Sequence, residues 1–321
     1  MPNRSTSEGR PADAWGLPLT ASGAQAAGAY DDTIASYLAF GRDAGAKLKS
    51  LLTADPDMPL AHVLRGSFFN LMGLPALQPK AREALSAAQA HSNRCTPRER
   101  LHIEALAAWC AGEQEQATER WEAILLDHPQ DVLALKLASF HYFYLGDSAS
   151  VRDNVARVLP AWEASKPGYS YLLGMHAFGL EECGDYEAAE RRGREALALG
   201  RNDPWAVHAV AHVMEMQDRR EEGIAWIGEY ESDWNACNNF RYHLWWHRAL
   251  MHLALEQYDE VIALYDTAVF DPQSEDYLDL CNDISLLARL EMAGIAVGDR
   301  WERLYDKVER QREGLRRRAP G

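Results

Sequence analysis

GDYEAAERRGREALALGRNDP, residues 184–204, decides the fold. It opens on a Gly-Asp turn and continues as an acidic stretch with apolar residues at helical spacing. It ends on Asp203-Pro204, an N-cap followed by proline in the first turn of another helix. The pattern returns at GEQEQA (112–117), GDSASV (146–151), DRREEG (218–223) and EQYDEV (256–261). The last residues of the five stretches are spaced 34, 38, 34 and 38 apart. Seven residues before each turn stands a small side chain: Ala105, Ser139, Ala177, Ala211 and Ala249. One such match carries little weight. Five in one register mark the places where two helices must touch.

A period of 34 is that of the tetratricopeptide repeat, two antiparallel helices per unit. The prediction is an all-α protein, an α-solenoid of tetratricopeptide-like helix pairs forming a curved array with a concave groove. Clear repeats run from about 98 to 270, within a single helical-repeat domain over 15–315. Residues 30–92 read as helical, with a hairpin broken at MGLP (72–75). Residues 276–315 read as two further helices around GIAVGD (294–299). The Ser-, Pro- and Gly-rich residues 1–14 are expected to be disordered, and 316–321 to form a frayed tail.

The composition sets limits on function. The net charge is −15 and the pI about 5.2, so a phosphate backbone would repel the chain and no nucleic acid partner is expected. No run approaches the ~18 apolar residues of a membrane span, so no membrane is expected either. The five cysteines are scattered, with no CxxC, which fits reduced thiols. With no secretory signal visible in MPNRSTSEGRPADAWG, a cytoplasmic protein is expected. There is no P-loop, GxGxxG or GxSxG.

The repeat register assigns residues to the groove. In each unit, four positions of the first helix point into the concavity. They are Glu99, His102, Leu106 and Trp109 in the first unit and Leu133, Lys136, Phe140 and Phe143 in the second. Tyr171, Gly174, Phe178 and Glu181 follow, then Trp205, His208, His212 and Glu215, then His243, Trp246, Leu250 and Leu253. A peptide clamp would be rich in Asn, Lys and Arg; this groove is aromatic and rich in histidine. His208 and His212 are one helical turn apart, as are His243 and His247, and such pairs chelate metal. Neutral imidazole suits Zn, Fe or Ni, and an open position on the ion can activate water. Without metal, a histidine beside Glu215 or Glu181 has the pKa of a general base. The plainer reading is that histidine and aromatic rings simply pack between helices. Thr96-x-x-Glu99 reads as a capping box, and His141 and His176 as packing residues.

Several stretches are similar to the tetratricopeptide repeat protein 38 family. They are WGLPLTASGAQAAGAYDDTIASYL, PRERLHIEAL, ATERWEAILLDHPQDVLALKLA with FYLG, DPWAVHAVAHVMEM and ALYDTAVF, with HLWWH at 243–247. The resemblance covers about residues 15 to 305 and implies a helical-repeat fold, with no mechanism attached. Family members continue for several more helices, so an exposed apolar face and a homodimer are expected at the C-terminal side.

Two functions remain open. One is an interaction module whose groove holds a peptide or protein segment, or a small molecule, against His102, Trp109, Phe140, Phe143, Phe178, Glu181, Trp205 and Trp246. The other is a hydrolase-like enzyme acting on a small, partly apolar substrate. There His208, His212, His243 and His247 would bind a divalent transition metal, and Glu215 and His243 would move protons. An open groove favours the first. A closed one, with imidazoles converging on a common point, favours the second.

Overall fold

The computed structural model describes residues 9–274 and 276–318. Among them are seventeen α-helices and no strand, only two isolated bridges. The N-terminal part holds α1 (Ala24–Leu38), α2 (Ala44–Ala54), α3 (Pro59–Leu71) and α4 (Gln78–Ala90). The break between α3 and α4 falls at Met72 and Gly73, where the hairpin is expected.

The five units follow. They are α5 (Pro97–Ala111) with α6 (Gln114–Asp127), α7 (Val132–Leu145) with α8 (Ser148–Val158), and α9 (Tyr169–Glu182) with α10 (Tyr186–Leu199). The fourth is α11 (Pro204–Met216) with α12 (Arg220–Glu229), followed by the short α13 (Glu231–Trp234). The fifth is α14 (Phe240–Ala254) with α15 (Tyr258–Leu264), which continues into a π-turn. Then come α16 (Tyr277–Met292) and α17 (Arg300–Arg318).

All five turns are built alike. Gly112, Gly146, Gly184, Asp218 and Glu256 have φ of 84°, 73°, 79°, 61° and 58°, the left-handed region. In each, the next residue's N–H returns to a carbonyl five residues back, from Glu113 to Ala108 through Gln257 to His252. This six-to-one bond satisfies carbonyls that the helix end leaves free. The small residues sit where the register places them. Ala105, Ala177, Ala211 and Ala249 are fully buried, and Ser139 is buried with its hydroxyl on Asn154. The predicted caps form as well. Asp203 accepts from the N–H of Trp205 and Ala206, and Thr96 and Glu99 close a capping box.

The N-terminal segment departs from expectation. Residues 1–8 and 319–321 lie outside the described residues, but 9–14 are structured. Ala12 bridges to Pro18, and buried Asp13 lies 3.8 Å from Arg98. Trp15 donates to the Pro167 carbonyl at 2.9 Å, and Thr20 bonds Glu99 through both backbone and hydroxyl. The residues after it run along the first helices of the array. Tyr37 meets Phe68 on α3, and Phe40 packs against Phe140 on α7, Trp205 on α11 and Phe240 on α14. The Phe40 carbonyl accepts from Asn238, and Arg42 reaches the Cys237 carbonyl. Phe40, in the loop after α1, thus packs on Phe140 and Trp205, two residues the repeat register assigns to the groove.

Candidate metal centre

The fourth and fifth units place α11 beside α14, and each carries two histidines one helical turn apart. On an α-helix such side chains stack on one face. Two HxxxH faces therefore meet. His208 Nε2 is 3.1 Å from His243 Nε2, and His247 Nε2 is 3.0 Å from those of both His243 and His212. Four nitrogens, one from each ring, all lie within 4.8 Å of one another, close enough to hold one metal ion.

The outer nitrogens explain why the inner ones face each other. His247 Nδ1 lies 3.1 Å from a Glu215 oxygen, His212 Nδ1 3.3 Å from a Glu181 oxygen, and His243 Nδ1 3.3 Å from the Asn282 amide oxygen. All three partners are acceptors, so Nδ1 carries the proton and Nε2 keeps its lone pair. Burial, reinforced by the neighbouring imidazoles, pushes His208 and His247 well below the ordinary imidazole range and His243 down to about 4. These three rings are neutral. Bare nitrogen lone pairs 3 Å apart repel each other, and a cation between them removes the repulsion. Two nitrogens bonded to one ion at about 2.1 Å stand about 3.0 Å apart at a right angle and about 3.4 Å apart at the tetrahedral angle. The carboxylates of Glu181 and Glu215 would balance a divalent charge.

The other expected groove residues divide into groups. Glu181 is buried on His212, and Trp246 stacks on His243 at 5.3 Å between ring centroids. Phe178 lies between Trp205 and His208, at 4.6 and 5.7 Å. These three adjoin the histidines. Trp205, itself 5.1 Å from His208, encloses the Lys136 ammonium with Phe140 and Phe40, at 5.3, 4.6 and 4.5 Å. Burial pushes Lys136 down and its neighbour Asp203 up. Phe143 is the exposed edge of this group, in contact with Phe178.

Two assignments require correction. His102 does not face a groove. It is fully buried and bonds Asp131 at 2.9 Å, beside the Arg98–Asp131 ion pair at 2.6 Å. The N-terminal segment covers its helix, so the repeat register points it into protein. Trp109 packs edge-on against Trp121 and His141 and makes no ring contact with His208, His212, His243 or His247. The role of His243 changes too. Its Nε2 is shared with His208 and His247, which suits a ligand and leaves no free nitrogen for a base. Glu215 is held by His247, with its carboxyl raised by burial.

The sequence reading missed Asn282 and Phe40. Asn282 lies on α16, outside the repeats, and no spacing rule links it to His243. Phe40 had one local sign, its position before Gly41-Arg42 at the end of a helix.

No family model matches the chain. Among solved structures, the Cut9–Hcn1 hetero-tetramer of APC/C aligns with 93% of this chain and 57% of that one, at 11% identity and a TM-score of 0.59. A tetratricopeptide repeat protein from Parabacteroides merdae aligns over 89% of this chain and all of its own, at 18% identity and a TM-score of 0.45. A thermophilic protein of the same repeat type from Thermus thermophilus covers 60% of this chain and 98% of its own, at 16% identity and a TM-score of 0.46. At such identities the likeness concerns the fold alone, and Cut9–Hcn1 carries it. The chain is a helical-repeat solenoid of the tetratricopeptide type.

Proposed function

We propose that this chain is a metal-binding helical-repeat protein, in which His208, His212, His243 and His247 hold one divalent transition ion. The supporting observation is the convergence of four imidazoles, three of them with outer nitrogens tied to Glu181, Glu215 and Asn282. An all-nitrogen donor set suits zinc, iron or nickel and is a poor one for magnesium or calcium. Partly exposed His212 and Glu215 give the ion a route to solvent, so a hydrolase-like or other proton-transfer reaction is the activity to screen for. Glu215 and Glu181, each bonded to a histidine of the cluster, are the carboxylates that would move a proton there.

The test is metal content by mass spectrometry, on untagged protein, for the wild type and the His208→Ala/His212→Ala pair. Near-stoichiometric metal in the wild type and none in the folded variant supports the reading. A wild type that takes up no zinc, iron or nickel overturns it.

A protein partner is the second reading, and the helical-repeat fold favours it, Cut9 being found in an assembly with Hcn1. Phe40 already packs on Phe140 and Trp205, so such a partner would not use those two rings. A homodimer at the C-terminal side rests on exposed Ile284, Met292 and Tyr305. Light scattering that gives only monomer at high concentration removes that idea. The closer kinship to the tetratricopeptide repeat protein 38 family stays part of this proposal.

A further inference from the structure

His212 links the four-histidine cluster to a second group of donors. Its Nε2 is 3.0 Å from His247 Nε2, inside the cluster, and its Nδ1 is 3.3 Å from Glu181 Oε2. Glu182 follows Glu181 at the end of α9. One donor atom each from Glu181, Glu182 and His212 lie within 4.8 Å of one another, close enough to share an ion. Three other buried carboxylates show how such a charge is compensated. Asp131 meets Arg98 at 2.6 Å and Asp283 meets Lys307 at 2.8 Å. Glu99 accepts three hydrogen bonds, from the amide and hydroxyl of Thr20 and the amide of Thr96. Glu181 is only 6% exposed, yet its one hydrogen-bond contact is the 3.3 Å approach to His212. Exposed Glu182 reaches Ser148 at 3.4 Å. Among the described residues neither glutamate pairs with a lysine or arginine. A carboxylate buried to this depth without a cation or full hydrogen bonding is costly. The C-terminal end of α9 carries the negative pole of the helix dipole, which adds to the attraction for a cation.

Resting on the metal reading above, we propose that Glu181, Glu182 and His212 hold a second divalent transition ion, and that His212 bridges the two ions as an imidazolate. Two carboxylate oxygens and one imidazole nitrogen suit zinc or copper(II), with water completing the shell. On binding, the N–H bond at His212 Nδ1 breaks, the proton leaves to solvent, and the freed lone pair goes to the second ion. The lone pair of Nε2 stays with the first ion. The ion takes the place of the proton that otherwise lies between His212 and Glu181, and it supplies the positive charge that the buried carboxylate lacks.

The experiment dialyses the untagged full chain, first stripped of metal, against zinc and counts bound ions by mass spectrometry for the wild type and Glu182→Ala. Glu182 is exposed at a helix end, so its replacement leaves the core packing intact. Two ions per chain in the wild type and one in the variant are expected. Copper(II) at one and two equivalents tests the bridge by electron paramagnetic resonance. The signal is expected to rise with the first equivalent and fall with the second, as the two spins couple across the imidazolate. One zinc ion in both proteins, or two in both, overturns this inference and leaves the metal reading standing. A copper signal that doubles with the second equivalent overturns the bridge. Failure of the wild type to take up zinc, iron, nickel or copper at all overturns both readings.

Discussion

Glu215 and Glu181 hold the outer nitrogens of His247 and His212, two histidines of the proposed metal site, and their contribution is orientation. With its charge removed, Glu215→Gln still fills the same space, but the imidazole of His247 becomes a poorer donor. Metal affinity is expected to fall about 10- to 100-fold while the fold is kept, as read by competition with a chromophoric chelator. A variant that binds as tightly as the wild type would remove Glu215 from this role. His141 shows what a histidine does without such partners. It sits between Trp109 and Trp121, with Nδ1 on the Leu137 carbonyl and Nε2 unpartnered, and burial pushes it down to about 4. A folded pKa below the unfolded value of about 6.5 gives stability that is present above pH 6.5 and lost as pH falls toward 4. His141→Phe is therefore expected to flatten the loss of stability between pH 6.5 and 4, by at most about 1.4 kcal/mol per pH unit. Denaturant midpoints at several pH values check this. Parallel curves for the two proteins would place the titration elsewhere.

Among the helical elements, the repeated turn is the informative unit. Three turns use glycine, which enters the left-handed region without cost, and two use Asp218 and Glu256, which do not. Glu256→Gly is expected to stabilise the protein by about 1 kcal/mol, since it removes a strained side chain and leaves the Gln257 bond to His252 in place. Thermal unfolding would show it, and a lower midpoint would mean that the Glu256 side chain has a stabilising contact. The converse, Gly146→Ala, is expected to cost about 1 kcal/mol. The same turns set the register that aims α11 and α14 at each other. The i, i+4 pairs were legible in the sequence because they lie within one helix. Their meeting was not, because it depends on the angle between successive units.

For the whole molecule, the decisive contact is the chain folding back on itself. Phe40 adopts φ of 54° to reach Trp205 and Phe240, a strained conformation held by the ring packing and by the Asn238 bond. Phe40→Ala is expected to lower stability by about 2–3 kcal/mol. Hydrogen exchange at Asn238 should accelerate as the loop detaches. An unchanged exchange rate would show that the loop is held without the ring. The buried trio of Arg98, Asp131 and His102 anchors the segment at its other end. Burial would raise the Asp131 carboxyl, but His102 and Arg98 outweigh it and hold it far below the usual range. His102 falls on a groove position of the repeat pattern because that pattern describes neighbours along the array and nothing about a segment from outside the repeats.

By itself the sequence determined the helix pairs, their turns, their small contact residues and the two HxxxH faces. Each of these is a local matter, fixed by spacing along one helix or by the conformation of one turn. The tertiary structure alone decided that the two faces converge, that Asn282 joins them, and that Phe40 packs on Phe140, Trp205 and Phe240. Those outcomes come from contacts between residues far apart in the chain, where small rotations per unit accumulate and no periodicity records the result.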